Sequence, residues 1–251
     1  MILMKFIDLF AGCGGLSLGL EQAGFVPVYV NELNKDALET YLINRENKFP
    51  YLRDPKFHSM DIQECIHPKF FRNLKRNLRE KFGTSKVDLI CGGPPCQGYS
   101  GISLRRSYSV DKKILPSNHL YQDMAIFINR MNPKAFLFEN VEGLLHAKWN
   151  KEGKKGEIFE DILKEFRNLK KYTIRWELLY SKNYGVPQNR PRIIIIGIKK
   201  SIFKPLVSDE DRGIDSGFHP EIIVQYPNIE DIFSDLVDKR FKNGGETTFY
   251  P

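Results

Sequence analysis

The sequence predicts an α/β domain built on a doubly wound, mostly parallel sheet. Short apolar runs that suit buried strands alternate along the chain with segments of helical periodicity, as in crossover connections between parallel strands. The first apolar run leads into a glycine-rich turn, and polar residues follow several of the others. Ligands of such sheets bind at the carboxyl ends of the strands, so we expect the functional site at that edge.

Seven strands and the helices between them are predicted in chain order. The strands are residues 5–9, 26–30, a short third strand near 59–62, then 87–91, 135–138, 173–180 and 192–198. The helices are residues 16–23, 35–44, 68–82, 120–131 and 157–169. Residues 97–117 are rich in Gly, Ser, Arg and Lys without a steady period, which predicts a long loop. After residue 199 the pattern weakens, and residues 228–239 are the one helix we expect there.

Composition and charge exclude several classes of protein. The 251 residues, 41% of them hydrophobic, suit one large soluble domain, and no apolar run approaches a membrane span. The 4 cysteines include no C-x-x-C pair, so we expect neither a structural zinc nor another metal, and the reducing cytoplasm is the expected compartment. The net charge of +7 favours a polyanionic partner, although many basic proteins bind no nucleic acid.

The first strand, its turn and the second strand predict a nucleotide-type cofactor site. The turn Gly12-Cys13-Gly14-Gly15 lets a ligand approach the backbone and the amino end of the next helix. Glu32 follows the second strand, 20 residues after Gly12, where a carboxylate can accept from both ribose hydroxyls. Because the pattern is not G-x-G-x-x-G, a cofactor with no phosphate is favoured over a dinucleotide with its pyrophosphate. Asp61 can accept from an adenine amino group.

Two later strand ends carry a thiol and a carboxyl group. Pro94-Pro95-Cys96-Gln97 follows the fourth strand, where two prolines hold the cysteine rigidly at the sheet edge. Glu139 comes at the end of the fifth strand. Because carboxyl ends of parallel strands meet at one edge, the two groups are candidates for a nucleophile and a general acid.

Five motifs follow one another along the chain, in the order Asp8-Leu9-Phe10-Ala11-Gly12-Cys13-Gly14-Gly15-Leu16, Asn31-Glu32, Gly93-Pro94-Pro95-Cys96-Gln97-Gly98-Tyr99-Ser100, Glu139-Asn140-Val141 and Gln188-Asn189-Arg190-Pro191-Arg192. Together they resemble the DNA (cytosine-5)-methyltransferases over residues 8–198, about three quarters of the chain.

The resemblance implies a class I methyltransferase (Rossmann-like) fold and S-adenosylmethionine as methyl donor. Phe10 would contact the adenine, Glu32 the ribose and Asp61 the adenine amino group. The implied cofactor-binding set is Phe10, Gly12, Gly14, Gly15, Glu32, Asp61, Ile62, Gly93, Pro95 and Leu120. Met60 departs from the family, which usually has glycine before this aspartate, and this puts the local loop in doubt.

The resemblance also implies covalent catalysis on a cytosine. Cys96 would attack carbon 6 as a thiolate, with its pKa lowered by a nearby arginine, and so make carbon 5 nucleophilic. Glu139 would protonate or hydrogen-bond ring nitrogen 3, and Arg192 would contact the base carbonyl. Arg190 would contact the adjoining backbone or loop, and Asn140 would orient the site. The base that removes the carbon-5 proton is not named by the sequence, and water is one candidate.

The implied substrate is double-stranded DNA with the target cytosine flipped out of the helix. The 97–117 loop is a candidate lid that closes on DNA, with a solvated charged loop as the alternative. Its expected substrate contacts are Gln97, Ser100 at the target phosphate, Arg105 and Arg106, and Lys112 and Lys113 add charge.

The late motifs of the family and its target-recognition region are not found. We expect residues 1–198 to form the catalytic domain and residues 199–251 a linker or the start of an incomplete recognition region. Three explanations are open for the missing motifs and recognition region: a split enzyme with a second subunit, a truncated gene, or a cloned fragment. The expected function is prokaryotic DNA methylation in restriction–modification; the alternatives are a transfer-RNA cytosine-5 methyltransferase and an inactive remnant.

Overall fold

A computed structural model describes residues 3–95, 116–203, 218–223 and 233, which form a seven-stranded sheet covered by helices. The strand order is β3-β2-β1-β4-β5-β7-β6. Strands β1 to β5 pair in parallel, whereas β7 runs antiparallel between β5 and β6. The strands are β1 Met4–Leu9, β2 Phe25–Asn31, β3 His58–Ser59, β4 Leu89–Gly92, β5 Ala135–Val141, β6 Tyr172–Tyr180 and β7 Pro191–Lys199.

Six α-helices connect the strands within the described residues. They are α1 Gly15–Gln22, α2 Lys35–Ile43, α3 Ile62–Cys65, α4 Pro68–Phe82, α5 Leu120–Met131 and α6 Glu157–Arg167. Short 3₁₀ helices lie at Pro50–Arg53, Pro116–His119, Glu142–His146 and Ser181–Tyr184. None of these helices is both long and apolar enough to cross a membrane.

The predicted class of fold is confirmed, and some strand limits are corrected. Asp61 caps helix α3 after a third strand of only two residues, so Ile62 is helical. Strand β5 continues three residues beyond Phe138, because Glu139 and Asn140 pair with Ile194 and Ile193 of β7. The candidate acid therefore lies within a paired strand, not after it. The helix expected at 228–239 lies outside the described residues.

Alternating residues of the strands supply two hydrophobic clusters. Ile7, Ile90 and Phe136 belong to the large cluster, which also includes buried residues of α2, α4, α5 and α6. Phe6 and Leu89, their neighbours along the strands, belong to a small cluster that packs against α1. Because both faces are covered, a ligand can reach the sheet at its edges, one of which is formed where β1, β4 and β5 end.

Candidate active site

A cleft of about 380 Å³ opens at the carboxyl ends of β1, β4 and β5. Phe10 and Gly15 line it on the side of the glycine-rich turn. Gly93, Glu139 and Arg190 line the opposite side. The tertiary structure therefore brings residues predicted to bind a cofactor together with residues predicted to act on a substrate. Asp8, which was not among the predicted site residues, also lines the cleft.

The turn after β1 depends on left-handed backbone conformations. Gly12 and Gly14 have φ angles of +54° and +89°, and Gly14 is the residue before helix α1. Phe10 is also left-handed, with a φ angle of +59°. This conformation costs a residue with a side chain about 1–3 kcal/mol, and such strain concentrates at binding sites. The left-handed conformation of Phe10 directs the backbone of the turn toward the cleft, which the Phe10 side chain lines.

Glu32 holds the glycine-rich turn from the end of β2. Its Oε2 accepts from the Gly12 amide at 2.8 Å, and its Oε1 accepts from the Asn34 amide at 2.7 Å. Each carboxylate oxygen keeps a second lone pair for another donor. Glu32 does not itself line the cleft among the described residues, but it is bonded to the turn that does.

Asn31 joins the first turn to the loop after β3. Its backbone carbonyl accepts from the Ala11 amide at 3.0 Å, and its side-chain amide donates to the Met60 carbonyl at 2.9 Å. Met60 is not among the residues of positive φ, so its backbone does not require the family's glycine. Asp61 accepts from the Gln63 amide at 2.8 Å, and the neighbouring Ile62 is buried.

A buried arginine clamps the glycine-rich turn from helix α2. Arg45 donates from Nη2 to the Gly14 carbonyl at 2.9 Å, and its Nε lies 2.6 Å from Glu21 of α1. Its guanidinium also lies over the Tyr41 ring, 3.9 Å from the centroid. The side chains of Arg45 and Glu21 are 5% and 8% exposed, so each leaves a buried charge if the other is lost. No sequence signal pointed to this clamp.

Asp8 is a buried carboxyl group on the cleft wall. Its Oδ2 accepts from Ser17 Oγ at 2.5 Å, and Ser17 Oγ is 2.9 Å from the Tyr41 hydroxyl. Its Oδ1 has no hydrogen-bond partner among the described residues. Burial raises the pKa of Asp8 to about 6, against the opposing effects of the Ser17 hydrogen bond and the nearby Cys91 thiol. A donor or cation brought into the cleft would satisfy this oxygen.

Glu139 and Arg192 form an ion pair on the opposite side. The Glu139 Oε1 and Arg192 Nε atoms are 2.5 Å apart, but the N–H bond is not aligned with an acceptor in the described residues. The carboxylate packs against Gly93, where a Cβ would lie 2.9 Å from Glu139 Oε2. The two side chains are 31% and 21% exposed, and Glu139 lines the cleft, where a ligand can reach it.

Asn140 connects this strand to the proline turn. Its buried side-chain amide donates to the Pro94 carbonyl at 3.2 Å, one residue before Pro95. Arg190 lines the cleft, while its backbone carbonyl accepts from both the amide and the hydroxyl of Ser181 at 3.1 Å. Both contacts fix the segments from which substrate-binding groups are predicted to extend.

Several residues predicted for the site do not line the cleft or lie outside the described residues. Pro95 is exposed and is the last of the described residues 3–95. Leu120 is the first residue of helix α5 and follows the 3₁₀ helix Pro116–His119. Within the described ranges, no three His, Cys, Asp or Glu side chains converge as a metal site. The predicted residues outside the described ranges are Cys96, Gln97, Ser100, Arg105, Arg106, Lys112 and Lys113.

Curated relatives are type II methyltransferases. M.DdeI of Desulfomicrobium norvegicum is 33% identical over 251 residues, which cover 99% of this chain and 52% of that protein. M.AgeI of Thalassovita gelatinovora is 33% identical over 249 residues, covering 94% of this chain and 52% of that protein. The chain thus spans about half the length of these relatives.

Solved structures share the fold. A prophage-encoded E. coli protein, provisionally named a DNA modification methyltransferase, superposes with a TM-score of 0.61 at 28% identity, covering 94% of this chain and 56% of that one. A DNMT2 mutant from Spodoptera frugiperda gives a TM-score of 0.57 at 21% identity, with 95% and 62% covered. The model of the C-5 cytosine-specific DNA methylase family matches residues 4–249. The chain therefore belongs to the C-5 cytosine-specific DNA methylase family.

Proposed function

We propose that this chain is the catalytic part of a DNA cytosine-5 methyltransferase that acts in restriction–modification. The observation that carries the proposal is the shared cleft, where the glycine-rich turn faces Glu139 and Arg190 across the carboxyl ends of β1, β4 and β5. The names of the type II relatives support the restriction–modification role. We also propose residues 1–198 as the catalytic domain, since β7 ends at Lys199.

The cleft suits S-adenosylmethionine, the methyl donor that the family and the fold imply. The unpartnered Asp8 Oδ1 is a buried acceptor for a donor or positive charge of this cofactor. We assign the adenosine end to Phe10, Gly12, Glu32, Asp61 and Ile62. We assign the methionine end to the segments that carry Gly14, Gly15, Gly93, Pro95 and Leu120. When bound, the cofactor supplies an electrophilic methyl group.

The chain's own residues would activate the cytosine. The Cys96 thiolate forms a bond to carbon 6, and the electron pair of the C5–C6 double bond becomes available at carbon 5. Protonated Glu139 donates to ring nitrogen 3 as negative charge develops there, and Arg192 holds the base carbonyl and the carboxylate that this proton leaves behind. After methyl transfer, a base removes the carbon-5 proton, water being one candidate; the bond between carbon 6 and the Cys96 sulfur breaks, and the C5–C6 double bond forms again.

The remaining assignments concern positioning and DNA. Asn140 holds the turn that precedes Cys96 through its hydrogen bond to Pro94. Gln97, Ser100, Arg105 and Arg106 are proposed to contact DNA around a flipped cytosine, because the ring is inaccessible within a stacked duplex.

A trapping assay tests the proposed mechanism. Duplex DNA with 5-fluorocytosine has no carbon-5 proton to lose, so the chain should form a denaturation-resistant adduct in the presence of S-adenosylmethionine. Cys96→Ser should abolish the adduct, and Cys65→Ser, at a buried thiol away from the cleft, should retain it. Persistence of the adduct in Cys96→Ser would refute the assigned nucleophile.

Labelled methyl transfer tests the substrate and the need for a partner. The chain is assayed on mixed-sequence DNA and on transfer RNA, alone and with the product of the adjoining reading frame. Transfer to DNA supports the proposal, and dependence on the second product identifies a split enzyme. Transfer to RNA alone would refute the assigned substrate. Glu139→Gln should slow transfer by about 10²–10⁴-fold.

A further inference from the structure

The amino ends of the parallel strands form an edge that is rich in lysine. Strand β7 ends there beside the starts of β5 and β6: the Lys199 amide donates to the Lys134 carbonyl and the Lys200 amide to the Lys171 carbonyl, both at 2.9 Å. We call this the basic edge and define it by Lys86, Lys134, Lys170, Lys171, Lys199 and Lys200.

The ends of two helices extend this charge. The Lys75 ammonium donates to the Arg130 carbonyl of α5 at 2.7 Å, and the Lys199 ammonium donates to the adjoining Asn132 carbonyl at 2.7 Å. Arg79 of α4 lies close enough to Lys75 to affect its titration. Cations from α4, α5 and the strand ends therefore surround the carboxyl end of α5.

Among the described residues, few carboxylates compensate the positive charge of the basic edge. Lys134 pairs with Asp88 at 2.6 Å, while the other Asp88 oxygen accepts from the Lys5 amide at 2.7 Å. Within the described residues, none of Lys86, Lys171 and Lys200 forms an ion pair, and all three are exposed. The residues of the strand ends and turns here, 83–88, 132–135, 169–172 and 197–203, include no other carboxylate.

Neighbouring cations also disfavour the charged state of two lysines. Burial lowers the pKa of Lys199, and the positive charges of Lys171 and Lys86 lower it further. Burial likewise lowers the pKa of Lys75, with Arg79 and Arg130 adding to the effect. Repulsion between like charges on such a surface destabilises the free protein, and binding of a polyanion relieves that repulsion.

The basic edge lies at the opposite end of the strands from the cleft. The 7 residues of β5 separate the two edges by about 20 Å, at about 3.3 Å per residue. The two edges are at opposite ends of the strands, and a duplex is stiff over about 150 base pairs, so DNA held in the cleft does not bend round to the basic edge. A second segment of duplex would therefore be the DNA that neutralises the lysines of the basic edge.

We propose that the basic edge, Lys86, Lys134, Lys170, Lys171, Lys199 and Lys200, binds the phosphate backbone of a second DNA segment without sequence preference. A long duplex presents closely spaced phosphates, and each contact releases a condensed counterion. The surface would keep the chain on long DNA while the cleft samples individual bases. The choice of DNA as the polyanion rests on the proposed function.

Two matched triple variants test the proposal. The edge variant is Lys86→Gln, Lys171→Gln and Lys200→Gln, and the control is Lys48→Gln, Lys56→Gln and Lys69→Gln. All six lysines are exposed, so the two proteins lose equal charge without disturbing the core. Binding of a long mixed-sequence duplex is measured over about 50–200 mM salt.

The edge variant should bind the long duplex about tenfold or more weakly, and the slope of log affinity against log salt should fall by about 2–3. The control should change little. Wild type should also bring two differently labelled duplexes into energy-transfer distance, and the edge variant should not. Equal losses in both triples would overturn the proposal, since net charge alone would then explain the binding.

Failure of the methyl-transfer chemistry is distinguishable from failure of this surface. Binding is measured in a Glu139→Gln background as well, where the edge-dependent slope should persist although transfer is slowed. Transfer to a short duplex that fills only the cleft should be the same in the edge variant and wild type. A slope that changes only with Glu139→Gln would assign the binding to the cleft and overturn the proposal.

Discussion

Gly14 and Gly24 provide a matched test of the arginine clamp. Both residues have a φ angle of +89°, so replacement by alanine imposes the same backbone strain, about 1–2 kcal/mol. A Cβ at Gly24 meets nothing within 4 Å. A Cβ at Gly14 would lie 2.5 Å from Arg45 Nη1 and 2.6 Å from Tyr41 Cδ2. The two substitutions thus differ in packing and not in conformation.

Arg45 cannot easily move away from a new methyl group. Its Nε is paired with buried Glu21 at 2.6 Å, and its Nη2 donates to the Gly14 carbonyl at 2.9 Å. Overpacking of a buried site costs typically about 1–3 kcal/mol. We therefore expect Gly14→Ala to lower the free energy of unfolding by about 2–5 kcal/mol and Gly24→Ala by about 1–2 kcal/mol.

Urea unfolding of the two variants measures this difference, and calorimetry with S-adenosylmethionine measures its consequence. Displacement of Arg45 releases the Gly14 carbonyl, so Gly14→Ala should bind the cofactor more weakly than Gly24→Ala. Equal destabilisation by both substitutions would refute the packing argument. If Gly14→Ala is the less stable variant but binds the cofactor as tightly as Gly24→Ala, the arginine clamp has no role in cofactor binding.

Three further outcomes are expected. Because the pKa of Asp8 is raised to about 6, the folded state binds more protons than the unfolded state between about pH 4 and 6. The free energy of unfolding should therefore fall by up to about 3 kcal/mol as the pH rises through that range. Chemical unfolding of Asp8→Asn at several pH values should show a flatter dependence of this free energy on pH. Arg45→Met should cost about 3–5 kcal/mol in urea unfolding by leaving Glu21 unpaired, and adding Glu21→Leu should recover much of the loss. Asn140→Ala removes the bond to the Pro94 carbonyl and should cost about 1–3 kcal/mol while lowering kcat for methyl transfer, whereas unchanged kcat would deny it a positioning role.

Elements with strong local signals could be predicted from the sequence to the residue. Helix α4 spans Pro68–Phe82 as predicted, because Pro68 occupies the first turn and Gly83 takes the left-handed cap. The order of strands and helices, and the meeting of the glycine-rich turn with the later strand ends, also followed from the sequence. Alternating strands and helices leave few ways to wind a parallel sheet.

Strand limits and the antiparallel strand required the tertiary structure. Strand β5 extends through Glu139 and Asn140 because β7 pairs with it beyond the end of β4. Whether a residue continues a strand depends on a neighbour that is distant in sequence, so no local pattern at 139–141 marks it. The same pairing brings Arg192 opposite Val141 and next to Glu139.

The sequence by itself determined the class of fold, the family and the chemical types of the site residues, because the motifs are short and contiguous. Only the tertiary structure decided how they are supported: Arg45 reaches Gly14 across 31 positions, and Asp8 becomes a buried carboxyl group with one unpartnered oxygen. The basic edge likewise forms from separate strand ends and turns. Such contacts depend on burial and on long-range pairing, which are properties of the folded chain and not of any local segment.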